Sequence, residues 1–128
     1  MREIIKCKSK FVEKGATLAR PATSGGEENL LCTPGDRYKG ECIFLHELSH
    51  TIQEYGMSAI DSTFTQRLEQ TYNSALRKGL WKETYAATNY LEYWAEGSQA
   101  YFDCNAVASP ANGIHNEIGS KIFFSLHD

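Results

Sequence analysis

Residues 43–56 read IFLHELSHTIQEYG, and the reading of this stretch decides the fold. Ile43, Phe44, Leu48 and Ile52 recur at helical spacing, which predicts an amphipathic helix from about residue 41 to Gly56. Into it the sequence sets His46, Glu47 and His50. Residues four apart stand one turn apart on one face, so both imidazoles can reach one ion. Charge in so apolar a stretch is costly unless something offsets its desolvation. Zinc is the obvious compensation. HELSH satisfies HExxH, in which two histidines bind zinc and the glutamate between them takes a proton from the activated water.

The organisation on either side is also helical. Residues 1–20 hold a weak alternation through Phe11, Val12 and Leu18 that predicts one or two short strands. PATSGGEEN, 21–29, is a loop, and Pro34-Gly35 a turn. Asp61 is the expected N-cap of a second helix, striped by Phe64, Leu68, Tyr72 and Ala75 or Leu76. That helix stops at Arg77-Lys78-Gly79, basic residues followed by glycine. LWKETYAAT connects to a third helix, expected from Thr88 or Asn89 to Asp103. A loop over 104–115 and a short helix over 116–126 close the chain.

Length and composition bound the function. The 128 residues suit one domain, 1–128, and 41% hydrophobic content suffices for a core. Net charge is -3 and no Lys/Arg cluster forms a phosphate-binding face, which argues against nucleic acid as partner. No apolar run reaches the roughly 20 residues that span a bilayer, so membrane insertion is not expected. MREIIKCKSK lacks a signal-peptide hydrophobic stretch, which suits a cytoplasmic chain or a mature or excised piece. Cys7, Cys32, Cys42 and Cys104 form no CxxC, against a zinc ribbon. Their even number allows three pairings as two disulfides and favours an oxidising compartment, hence a secreted protein. Four reduced, half-buried thiols are the alternative.

A third zinc ligand must come from elsewhere, because the metzincin extension of the motif needs histidine where this chain has Gly56. Acidic candidates cluster in NYLEYWAEGSQAYFD, where Glu92 and Glu96 are four apart on one helical face. Glu92 also has a structural reading, as the N3 partner of an Asn89 cap. Cys42, four residues before His46, is a possible thiolate but reads better as a core or disulfide residue. His115 follows a turn-rich loop and reads as a surface or rim residue.

HELSH followed by Tyr85 and then NYLEYWAEGSQAYF resembles the zinc peptidase domain of the anthrax lethal factor family, and the related clostridial Pro-Pro endopeptidases. The similarity covers roughly residues 41–103. It implies an α+β, mostly helical zincin-like domain with a small or truncated N-terminal sheet. It also implies that Glu92 joins His46 and His50 as the zinc ligand, and that Tyr85, seven positions earlier, reaches the substrate side of the metal. Glu96 is then expected behind the ligands, accepting an N–H from a zinc histidine and fixing its tautomer. The activity implied is hydrolysis of peptide or protein substrates, with Glu47 as base and Tyr85 as donor to the oxyanion. A non-catalytic, metal-stabilised binding or structural domain is the alternative, with Cys42 or Glu96 closing the coordination shell.

Overall fold

The computed structural model of the chain describes residues 23–106. Its elements are α1 (Glu27–Leu30), α2 (Ile43–Thr51), a π-helical turn (Ile52–Met57) running into α3 (Ser58–Ile60), α4 (Phe64–Arg77), a 3-10 turn (Tyr85–Ala87) and α5 (Tyr90–Tyr101). The expected α+β class with an N-terminal sheet is therefore corrected: among the described residues every regular element is helical and none is a strand. The strands expected within residues 1–20 and the helix expected over 116–126 lie outside the described residues.

Side chains and tight turns, in place of a strand ladder, satisfy the backbone just ahead of α2. The buried Asn29 amide donates to Asp36 and to the carbonyls of Tyr38 and Glu41, while its Oδ1 accepts the Ile43 N–H. One asparagine thus gathers residues 29–43 and covers an open N–H at the start of α2.

Gly56 does not end the helix as its position suggested. The ladder widens into the π turn and continues to Ile60, with the Ser58 hydroxyl donating to the Gln53 carbonyl at 3.1 Å. π turns of this kind often sit at functional sites. Asp61 lies two residues ahead of the N-cap of α4, Thr63. Its Oδ1 accepts from the Thr63 N–H and hydroxyl, and its other oxygen pairs with Arg67. At the far end Gly79 takes φ +73, Leu80 N–H donates to Ala75 and Gly79 N–H to Leu76. This is a Schellman stop, and only glycine adopts that φ without cost.

The connection to α5 is bent by two residues in the left-handed region, Trp81 at φ 63 and Glu83 at φ 64. Trp81 is buried in a cluster with Ala75 and Ala86, against Tyr93. Burying an indole stabilises by about 2–3 kcal/mol, which outweighs the roughly 1–2 kcal/mol cost of a left-handed residue. The Tyr72 hydroxyl donates to the Ala87 carbonyl at 2.7 Å and pins the 3-10 turn. The chain then reaches Asn89, extended at φ -164, whose side chain accepts the Leu91 and Glu92 N–H groups and starts α5.

The main packing is α2 against α5, and it overturns the expected choice of face. Ile43, Phe44 and Leu48 are only half-buried and Ile52 is 42% exposed, whereas His46, Ser49 and Gln53 are 2%, 3% and 4% exposed. Opposite them α5 buries Ala95, Glu96, Gln99 and Ala100. The small alanines let the helices approach while the polar residues bond across the seam. The Trp94 indole N–H adds a bond to the Ser49 carbonyl at 2.9 Å. The apolar flank of α2 lines a groove of about 570 Å3 with Phe64, Leu68 and Trp94. No helix among the described residues is long and apolar enough to cross a membrane.

Candidate metal centre

Three ligand-type atoms meet where α2 faces the first turn of α5. His46 Nε2 lies 3.0 Å from Glu92 Oε2 and 3.1 Å from His50 Nε2, and His50 Nε2 is 3.4 Å from Glu92 Oε2. Zinc–ligand bonds of about 2.0–2.1 Å at the tetrahedral angle place neighbouring ligand atoms roughly 3.3 Å apart. The donor set and its spacing therefore fit a zinc ion. The Asn89 cap brings this about: it fixes the first turn of α5 through the Glu92 N–H at 3.0 Å, which leaves the Glu92 carboxylate turned toward α2. The Asn89 cap uses the Glu92 N–H while the carboxylate faces His46, so the two readings of Glu92 do not exclude one another.

Behind His46 the other ring nitrogen is held from two sides. Nδ1 lies 2.8 Å from Gln99 Oε1 and 3.2 Å from Glu96 Oε1. The Gln99 amide nitrogen donates to the Cys42 carbonyl at 3.3 Å, which orients its oxygen toward His46. Nδ1 must therefore carry the proton, and Nε2 is the nitrogen left to bind metal. Glu96 is 0% exposed, and a buried carboxylate is costly unless paired. Its Oε1 faces His46 and its Oε2 accepts from Asn105 at 2.8 Å.

These contacts set the titration of the cluster. Burial disfavours the charged form of His46, but Glu92, Glu96 and Gln99 outweigh it and raise its pKa from 6.5 to about 10. Burial likewise pushes Glu92 up, and the two histidines outweigh it, lowering the carboxyl from 4.5 to about 2. Raised in the folded state, His46 contributes stability that is present below pH 6.5 and lost as pH rises through about 10. Glu92 contributes above pH 4.5 and loses that as pH falls through about 2. The metal-free chain is thus expected to show its highest thermal midpoint between these unfolded-state values. A zinc ion bound at these atoms would displace the extra His46 proton, so its affinity is expected to rise with pH, by up to about tenfold per unit. Calorimetric zinc titration at pH 7.5 in buffers of different ionisation enthalpy should register about one proton released per zinc. Zero release would contradict a protonated His46.

Tyr85 stands beside the cluster, its ring centroid 6.4 Å from that of His46. Burial first, then the charges of Glu92, Glu96 and Glu47 and the neighbouring Tyr38, hold its phenol above the usual range, so it remains a donor at neutral pH. Glu47 follows His46 on α2, half-buried and within electrostatic reach of that phenol. A cleft of about 500 Å3 opens beside His50 and Glu92, walled by Gln53, Glu54 and Tyr90.

The structure thus brings together His46, His50, Glu92, Glu96 and Tyr85, with Glu47 alongside. His115 lies outside the described residues. Gln99 and Asn105 were missed. Gln99 carries a legible signal, since it follows Glu96 by three and Glu92 by seven on one helical face. Asn105 carries none, because it lies beyond the helix and reaches Glu96 only through the turn at Asp103. Among Cys32, Cys42 and Cys104 the structure contains no disulfide. Compared with known protein families, curated proteins and solved structures, the chain matches none.

Proposed function

We propose that the chain is a zinc-dependent endopeptidase. The observation that carries this reading is the convergence of His46 Nε2, His50 Nε2 and Glu92 Oε2 at spacings that suit one tetrahedral zinc. When bound, zinc supplies Lewis acidity, lowering the pKa of water and polarising a carbonyl. Glu47 takes the proton from the attacking water and passes it to the leaving amine. Tyr85, kept protonated by burial and then by its acidic neighbours, donates to the oxygen on which negative charge develops. Gln99 and Glu96 hold His46 in the tautomer that presents Nε2. The cleft beside His50 and Glu92 is where an extended peptide has room to lie.

A closed structural site is supported less well. Glu96 stands at Nδ1 of His46, the ring nitrogen opposite the one facing Glu92, so it is not placed as a fourth ligand. Three protein ligands with an open fourth position are the pattern of catalytic zinc.

The test is a degenerate peptide library incubated with the zinc-loaded chain, new amino termini being identified by mass spectrometry. Cleavage is expected, abolished by a chelator and restored by added zinc. Stoichiometric zinc with no member of the library cleaved would sink the peptidase reading and leave the metal-stabilised domain.

A further inference from the structure

We propose that Cys42 and Cys104 are the two halves of a disulfide, a covalent bridge between the amino end of α2 and the segment that leaves α5. Two observations place them together. The Cys42 N–H donates to the Cys104 carbonyl at 2.9 Å. This backbone hydrogen bond brings the two main chains into contact, as the roughly 4.4–6.8 Å Cα–Cα span of a disulfide requires. Both also bond to Gln99, Cys42 at its side chain and Cys104 at its backbone. The Cys42 carbonyl accepts from the Gln99 amide, while the Cys104 N–H and thiol lie 3.0 and 3.5 Å from the Gln99 carbonyl. Neither is fully exposed, whereas Cys32 is at the surface. To form the bridge, the Cys104 thiol must leave the Gln99 carbonyl.

The reaction is thiol–disulfide exchange with a small-molecule disulfide such as oxidised glutathione. One cysteine thiolate attacks a sulfur of the oxidant, expelling one glutathione thiolate and forming a mixed disulfide. The second cysteine attacks the protein sulfur of that intermediate and expels the second glutathione. Two protein thiols are oxidised, and one disulfide is reduced to two thiols. The bridge encloses α2 through the whole of α5, so it restricts the unfolded chain over most of the described fold. It also ties down both ends of the Gln99 contact that orients His46.

The test needs neither a substrate nor turnover. The full chain is equilibrated in glutathione buffers of rising oxidation, quenched with an alkylating agent and digested without reductant. A peptide pair joined through Cys42 and Cys104 is expected, with both positions protected from alkylation. The oxidised chain should unfold at least about 5 °C above the reduced chain. That difference should vanish in the C42S/C104S double variant and persist in C32S. A bridge from Cys42 or Cys104 to Cys7 or Cys32 overturns the proposal. So does full alkylation of both residues at the most oxidising ratio, and so does an undiminished difference in the double variant.

Discussion

Replacing Glu47 by glutamine is expected to lower kcat on a cleaved peptide by at least about a hundredfold while leaving zinc affinity within a few-fold of wild type. The substitution keeps volume and helix propensity, and it touches none of the converging atoms of His46, His50 and Glu92. It removes only a carboxylate able to accept a proton. A positioned general base contributes about 10²–10⁴ to rate, and that contribution exists in the transition state and not in metal binding. Separating the two readouts is therefore the point of the experiment. Equal turnover by E47Q and wild type rules out the role given to Glu47. Parallel loss of zinc and turnover would show a structural effect. Tyr85→Phe provides the comparison, with an expected loss of about tenfold to a hundredfold, because the phenol shares its task with the metal.

Glu92→Ala is expected to weaken zinc binding by more than about a hundredfold, whereas Glu96→Gln should cost about ten- to a hundredfold. Glu92 Oε2 stands within 3.4 Å of both histidine Nε2 atoms, whereas Glu96 meets His46 at the far nitrogen. Metal titration of the two variants ranks them, and a larger defect in E96Q would exchange the assignments. Zinc should also support the fold, since its ligands come from α2 and α5, whose packing forms the centre of the described structure. Free zinc at a thousand times Kd adds about 4 kcal/mol, a rise in thermal midpoint on the order of 10 °C in a domain of this size. The same midpoint with and without chelator would place the metal outside the folding unit.

Hydrophobic periodicity predicts a helix at residues 43–56 because apolar residues recur with its period, and α2 with its π turn covers that stretch. Periodicity also nominated a buried face, and that face is half-exposed. The buried one carries His46, Ser49 and Gln53 because polar partners wait opposite. A transfer scale counts such residues as outward-facing. It has no knowledge of a glutamine and a glutamate on another helix that remove the cost of burial.

What the sequence determined alone was local. The two histidines one turn apart, the Asn89 cap and the Gly79 stop depend on residues within one or two turns of each other, where spacing dictates geometry. The nomination of Glu92 came from a motif, and spacing alone left Glu96 open. Only the tertiary structure decided which oxygen faces which nitrogen: Glu92 at Nε2 of His46, Glu96 and Gln99 at Nδ1, Asn105 behind Glu96. Only it brought the Cys42 N–H to the Cys104 carbonyl and gathered residues 29–43 on the bonds of Asn29. These depend on how α2 and α5 cross and on where the connecting turns deliver the chain. Hydrogen bonds have short range and strict direction, so a partner far away in sequence is decided only when the backbone is in place.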